Sequence, residues 1–294
     1  MKLTNKHNLP QTFVNVIKRP TYSKGKANLS ITELIDSPRV TNLRHKHWDD
    51  IEVDASEMVW SLFGSAVHGI LEHGKDSNHI VEERLHIIYD GWHLSGAIDL
   101  QEVDEDGIHI KDYKVTGAWS VRNEKQAWHD QLNSYAWLVR KAKQKKVKSL
   151  QIVAIIRDWS AREARIKDDY PQAPIVVIDI PVWDDDKQET FVSQRLHVHA
   201  EAYFESDSGG NLPDCTPEDM WEKQEKFAVM KEGGKRAKSV HDTRADAESV
   251  LPAKGYFIEH RPGERTRCKS FCQVADFCDQ HQSYLKTQTG ETAC

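Results

Sequence analysis

Three strand-like runs in succession, 79–89, 92–103 and 107–115, constrain this chain more than any other feature. Each alternates β-branched or aromatic residues with polar ones. The breaks between them, Asp90-Gly91 and Asp104-Glu105-Asp106-Gly107, carry the Asp-Gly steps of hairpin turns. Before them, Val59, Leu62, Phe63, Ala66, Val67, Ile70 and Leu71 recur at helical spacing over 58–73. After them come a helix over about 123–143 and a strongly apolar strand over 150–156. Helix, three strands, helix and strand predict an α/β (α+β) fold, with a mixed central sheet flanked by helices. A further strand is expected at 175–180, a helix at 184–204 and a loop at 206–213.

Residues 1–30 are polar and without periodicity, and read as a flexible arm or a loosely docked strand. Ser30 caps a first helical turn that Asp36-Ser37-Pro38 interrupts. Residues 215–294 read as a separate subdomain: a short helix, a β element over 227–240, a helix near 243–251 and a group of cysteines. The expected partition is an arm and helical segment at 1–57, a core at 58–205 and a cysteine subdomain at 206–294.

Composition narrows the function classes. Apolar residues make up 38% of 294, enough for a core, and no apolar run approaches the roughly 20 residues of a membrane helix. The opening Met1-Lys2-Leu3-Thr4-Asn5 has no apolar stretch behind it, which predicts no secretory signal and a cytoplasmic location. The net charge of −6 runs against the basic average of many nucleic-acid binders. A local basic channel suffices for such binding, however, and a metal site adds carboxylates. No G-x-x-x-x-G-K-S/T sequence is present, so no nucleotide-driven motor is expected.

Strand alternation puts Ile108, Ile110, Asp112 and Lys114 on one face, running from an apolar start to an acid and a lysine. Gly96-Ala97-Ile98-Asp99, one strand earlier, offers a second acid that a hairpin brings close to Asp112. Two such carboxylates repel unless a cation lies between them, and Mg²⁺ suits hard oxygen ligands. Lys114 could orient a water or stabilise developing phosphorane charge. The alternative is a surface hairpin on which Asp and Lys pair across solvent.

The neighbouring motifs decide between these. Gly64-Ser65-Ala66-Val67-His68 stands on the first helix and Val81-Glu82-Glu83-Arg84-Leu85 on the first strand. Gly96–Asp99 and Asp112-Tyr113-Lys114 follow, and Gln131-Leu132-Asn133-Ser134-Tyr135 lies on the second helix. In that order the chain resembles the RecB-type branch of the PD-(D/E)XK nuclease superfamily, with its restriction-endonuclease-like core. The resemblance implies that His68, Asp99 and Asp112 bind Mg²⁺ or Mn²⁺, helped by the Tyr113 carbonyl, and that Lys114 is the catalytic lysine. Glu82 is favoured over Glu83 from its place in the motif. Gln131 and Tyr135, one turn apart, would line the site or support the lysine. Gly64, four residues before His68, is expected to allow close backbone approach.

Of five cysteines, Cys268, Cys272 and Cys278 lie within eleven residues, and Cys215 is the natural fourth ligand. Cys294 is expected to be a bystander. A distant first cysteine plus a C-terminal triplet resembles the iron–sulfur members of the same branch and implies a 4Fe–4S cluster. Such a cluster would staple a C-terminal iron–sulfur subdomain. Zinc and unliganded thiols stay open.

DNA contacts are expected from Arg157, with Trp159 as a stacking aromatic, and from Lys231, Lys235 and Arg236 around Gly233-Gly234. The basic run Lys141, Lys143, Lys145, Lys146 and Lys148 is either a phosphate contact or a solvated helix end. The pattern implies a DNA exonuclease in recombination, repair or phage replication, with a recombination or replication protein as a possible partner. Pro213-Asp214-Cys215 and Arg261-Pro262-Gly263-Glu264 resemble phage-encoded exonucleases, for which the location would be the host cytoplasm. The alternatives are an endonuclease or CRISPR-adaptation-like processing nuclease and, in another class, a non-catalytic DNA- or partner-binding module.

Overall fold

The structure is a computed structural model and describes residues 1–19 and 24–289. Cys294 lies outside the described residues. In chain order the first half holds β1 (Lys2–Thr4), α1 (Gln11–Lys18), β2 (Leu29–Ser30), α2 (Ile31–Leu34), α3 (Pro38–Lys46), β3 (Glu52–Asp54) and α4 (Val59–Leu71). Then come β4 (His79–Tyr89), β5 (Trp92–Val103), β6 (Ile108–Thr116), α5 (Ala118–Arg122), α6 (Gln126–Lys143) and β7 (Val147–Ile156). The second half holds α7 (Ala161–Ile166), β8 (Ile175–Ile180), α8 (Asp185–Ser208), β9 (Glu222–Lys223), β10 (Lys226–Lys231), β11 (Ala237–His241) and α9 (Arg244–Ser249). It ends with β12 (Tyr256–Arg261), β13 (Glu264–Arg265), α10 (Thr266–Ser270) and α11 (Asp279–Thr289). Two compact units result: residues 1–38 with 49–211, and residues 39–48 with 212–294.

The first unit is a mixed α/β structure. Its six-stranded sheet runs β2-β5-β6-β7-β8, with β4 on β5. The β4–β5, β5–β6 and β7–β8 pairs are antiparallel, while β2–β5 and β6–β7 are parallel. Helix α6 supplies the main apolar cover: Trp128, Leu132, Tyr135, Ala136, Trp137, Leu138 and Val139 are all buried in the core with Ile98, Ile110, Leu150 and Ile152. At about 25 cal/mol per Å² of apolar area, this layer is the main stabilising term of the unit.

The cover fixes one glycine. A Cβ on Gly96 would lie 2.9 Å from Tyr135 Cε1, 2.9 Å from Leu138 Cδ2 and 3.0 Å from Ile31 Cγ1. Gly96→Ala is therefore expected to destabilise the first unit by about 1–3 kcal/mol through overpacking. Because Tyr135 holds a residue of the candidate site, activity should fall as well. Thermal melting and cleavage rate measured on the same variant would check both; an unchanged melt would refute the packing account.

Several expectations are corrected here. Residues 11–18 form helix α1 rather than an arm, with Val14 buried, and β1 pairs parallel with β3. Eight residues with one apolar strip give too little periodicity to read. The capping box at Ser30 and Glu33 is present, α2 stops at Leu34 so that the expected break follows it, and Pro38 then opens α3. Proline is well suited to a first helical position, where its missing N–H is not needed. Helix α8 runs into the expected loop as far as Ser208 and stops at Gly209, whose φ of +78° is a left-handed cap.

In the second unit, β10 and β11 form the hairpin around Gly233-Gly234, with β12 on the other side of β10. A turn, not a helix, follows Cys215. Arg39 is 3% exposed and holds the unit's parts together. Its guanidinium donates to the carbonyls of Leu212 and Pro213 and pairs with Asp214 and Asp279.

Candidate active site

The β5–β6 ladder runs from Val103/Ile108 to Leu100/Lys111. Beyond it the Tyr113 N–H donates to the Asp99 side chain, Oδ2 at 2.8 Å, so a carboxylate takes the place of the next strand carbonyl. Asp99 is thereby held at the point where the strands separate, beside Asp112. Burial foremost, and then the charge of Asp112, raise the Asp99 carboxyl to about 7. Two acids in that relation favour a bound cation.

His68 arrives from α4. Its Nε2 lies 3.1 Å from the Tyr113 carbonyl, a bond that makes Nε2–H the donor. Nδ1 then faces Glu82 Oε1 at 3.4 Å and Asp99 Oδ1 at 3.5 Å. The hydrogen bond to Glu82 raises the imidazole to about 9, so a cation binding there must displace a proton. Glu82 itself has φ +49°, a left-handed conformation uncommon for a non-glycine residue in a strand. The β4–β5 register pairs Val81 with Leu100 and Glu83 with Ile98, and leaves Glu82 out. Local strain of this kind collects at functional sites.

One ligand atom each from His68, Glu82 and Asp99 lies within 4.8 Å of the others, the only such group of metal-binding side chains among the described residues. Glu82 thus joins His68 and Asp99 in this trio. Asp112 is 2% exposed and stands behind, its Oδ2 2.6 Å from Lys114 Nζ. The ammonium thus sits directly against this buried carboxylate oxygen. Gln131 Nε2 donates to Asp112 Oδ1 at 3.3 Å and to the Tyr135 hydroxyl at 3.0 Å. Three carboxylates and one imidazole fit a divalent cation. Tyr113 serves here through both backbone groups as the holder of His68 and Asp99; its carbonyl is taken by His68.

Other expected residues fall as follows. Glu83 turns away to Gln101 and Lys143. Gly64 meets no close neighbour: a Cβ there would touch nothing within 4 Å. Trp159 is tied by its ring N–H to the Pro171 carbonyl at 2.8 Å, and the aromatic beside Arg157 is Trp60, with the guanidinium 4.3 Å from its ring centre. Lys141 and Lys143 pair with Glu189 and Glu83, so the basic run is partly neutralised within the unit. Lys231, Lys235 and Arg236 are exposed at the β10–β11 hairpin. Trp60 was missed from sequence, although its spacing four residues before Gly64 and eight before His68 was readable.

Cys215, Cys268, Cys272 and Cys278 line one cavity of the second unit, with Arg39, Val40, Leu43, Met220, Val274 and His281 among the other lining residues. Burial raises the thiols of Cys268 and Cys272, and Cys268 is raised further by Cys272 and Cys278.

The mixed sheet and helix α4 thus bring three carboxylates, a histidine and a lysine together, a set able to bind a divalent cation. The family model of the PD-(D/E)XK nuclease superfamily matches residues 39–279, and the chain belongs to that superfamily. Membership implies metal-dependent nuclease activity. No curated protein matches the chain. A solved structure described as the crystal structure of SSO0001 is similar at 15% identity, covering 64% of this chain and 83% of its own, with a TM-score of 0.42. No helix among the described residues is long and apolar enough to cross a membrane.

Proposed function

We propose that the chain is a Mg²⁺- or Mn²⁺-dependent DNA exonuclease of the RecB-type branch, with its chemistry in residues 58–205. The observation that carries this is the meeting of His68, Glu82 and Asp99 within 4.8 Å, beside the Asp112–Lys114 pair. His68, Glu82, Asp99 and Asp112 would hold the ion. When bound, it lowers the pKa of a water and neutralises phosphate charge. The protein's own groups supply the rest. Lys114, kept in place by Asp112, offers an ammonium to the charge that develops on the phosphate oxygens. Gln131 and Tyr135 hold Asp112, and the Tyr113 backbone holds His68 and Asp99. Arg157 and the exposed Lys231, Lys235 and Arg236 bind the DNA backbone.

In the same reading Cys215, Cys268, Cys272 and Cys278 hold a 4Fe–4S cluster. The four thiols line one cavity of the second unit, and four thiolate ligands are what such a cluster takes.

The test is digestion of 5′- and 3′-labelled linear DNA and of circular single-stranded DNA, with Mg²⁺ and with Mn²⁺. Linear strands should shorten from an end while circles survive. Cleaved circles would make the enzyme an endonuclease. Binding without hydrolysis in either metal would favour a non-catalytic module.

A further inference from the structure

Helix α4 presents an open face. None of its residues is buried, and Trp60 is 54% exposed with Phe63 beside it at 44%. Trp60, Gly64 and His68 follow one another at four-residue steps, so they share one side of the helix with a drift of about 40° per step. Read back from the metal site, that side offers a ligand, a bare stretch of backbone and a large aromatic ring. Nothing lies within 4 Å of where a Gly64 side chain would begin.

The Arg157 guanidinium lies 4.3 Å from the Trp60 ring. Arg157 directly follows β7, and its N–H donates to the Thr116 carbonyl at 2.9 Å. The strand that carries Asp112 and Lys114 therefore also anchors the cation on Trp60. Lys125 adds a second positive charge: its ammonium is pushed below the ordinary lysine range by burial, then by the charges of Arg157 and Lys114. An exposed tryptophan that carries a guanidinium, with Lys125 in electrostatic reach of it, matches a polyanion that also has a free aromatic face.

A duplex keeps its bases stacked on each other and shows phosphates and groove edges. An unpaired nucleotide shows both a π-face and a phosphate. We propose that Trp60 and Arg157 form a seat on which an unpaired base of the DNA stacks next to the metal site, so that the strand is cut as a single strand. The proposal rests on the nuclease reading above and adds its substrate form.

The test compares the wild type with Trp60→Ala, Trp60→Phe and Arg157→Ala, in Ca²⁺ to suppress cleavage. The probes are fluorescein-labelled dT20, the same strand with one abasic position moved along it, and a blunt 20-bp duplex. Trp60→Ala should raise the Kd for dT20 on the order of 10- to 100-fold, and Trp60→Phe should recover most of the loss. Duplex binding should change little. One abasic position should weaken the wild type but leave Trp60→Ala unaffected. Both tryptophan variants should melt as the wild type does, since the ring is exposed. The seat is overturned if Trp60→Ala binds dT20 normally, if dT20 and duplex weaken equally, or if the abasic series is flat. A wild type that cuts DNA while any of these holds loses only the seat. One that neither binds nor cuts DNA loses the nuclease reading as well.

Discussion

Asp112→Asn should lower Mn²⁺-dependent DNA cleavage on the order of 10³-fold while the metal-free protein melts at or above the wild-type temperature. The two effects have one origin. Asp112 is buried next to Asp99, and its charge helps to raise the Asp99 carboxyl. An amide removes that repulsion, and its oxygen can still accept from Gln131. Lys114 loses its partner but is partly exposed, so its charge is not stranded. The cation, in contrast, loses a charged ligand, and Lys114 loses the group that aims it. Melting curves with and without Mn²⁺, beside the labelled-DNA assay, check the pair of outcomes. The wild type should gain stability on adding Mn²⁺ and the variant should gain much less. Cleavage at the wild-type rate by Asp112→Asn would remove this residue from the site.

On the proposed iron–sulfur cluster, Cys272→Ser should remove the visible absorbance expected of anaerobically purified protein and expose the second unit to protease, leaving the first unit resistant. Thiolate-held structural ions contribute on the order of 10 kcal/mol to small folds, comparable to the 5–15 kcal/mol of a whole domain. The second unit has little else at this place: short strands, short helices and the Arg39 hub. Cys272 is only partly buried, so serine should be tolerated there apart from the lost ligand. Fragments cut between 212 and 289 would mark the loss. A Cys272→Ser protein as resistant and as coloured as the wild type would refute the cluster, and a colourless wild type containing zinc would replace it.

What the sequence made legible was local. Alternation and Asp-Gly turns located β4, β5 and β6 within a residue or so, and the apolar spacing located α4 and α6. The site's acids and Lys114 could be placed because a hairpin and a two-residue alternation leave little choice of face. What stayed hidden depends on partners distant in the chain. Lys141 and Lys143 are neutralised by Glu189 and Glu83, from other elements. Trp60 gains its meaning only from Arg157, almost a hundred residues on. The left-handed backbone of Glu82 has no compositional mark, since turn-forming residues rather than glutamate signal such positions. The break at Asp36-Ser37-Pro38 was legible, whereas the helix that Pro38 opens after it was not.

The hydrogen bond from the Tyr113 amide to Asp99 couples architecture to chemistry. Where the sheet's own bonding between β5 and β6 ends, an acidic side chain serves as the next rung. The enzyme therefore cannot dispense with that acid as it could with a mere ligand, because the segment carrying Lys114 would lose its tether to the neighbouring strand at the same moment. One carboxylate thus serves both the proposed chemistry and the edge of the β5–β6 seam.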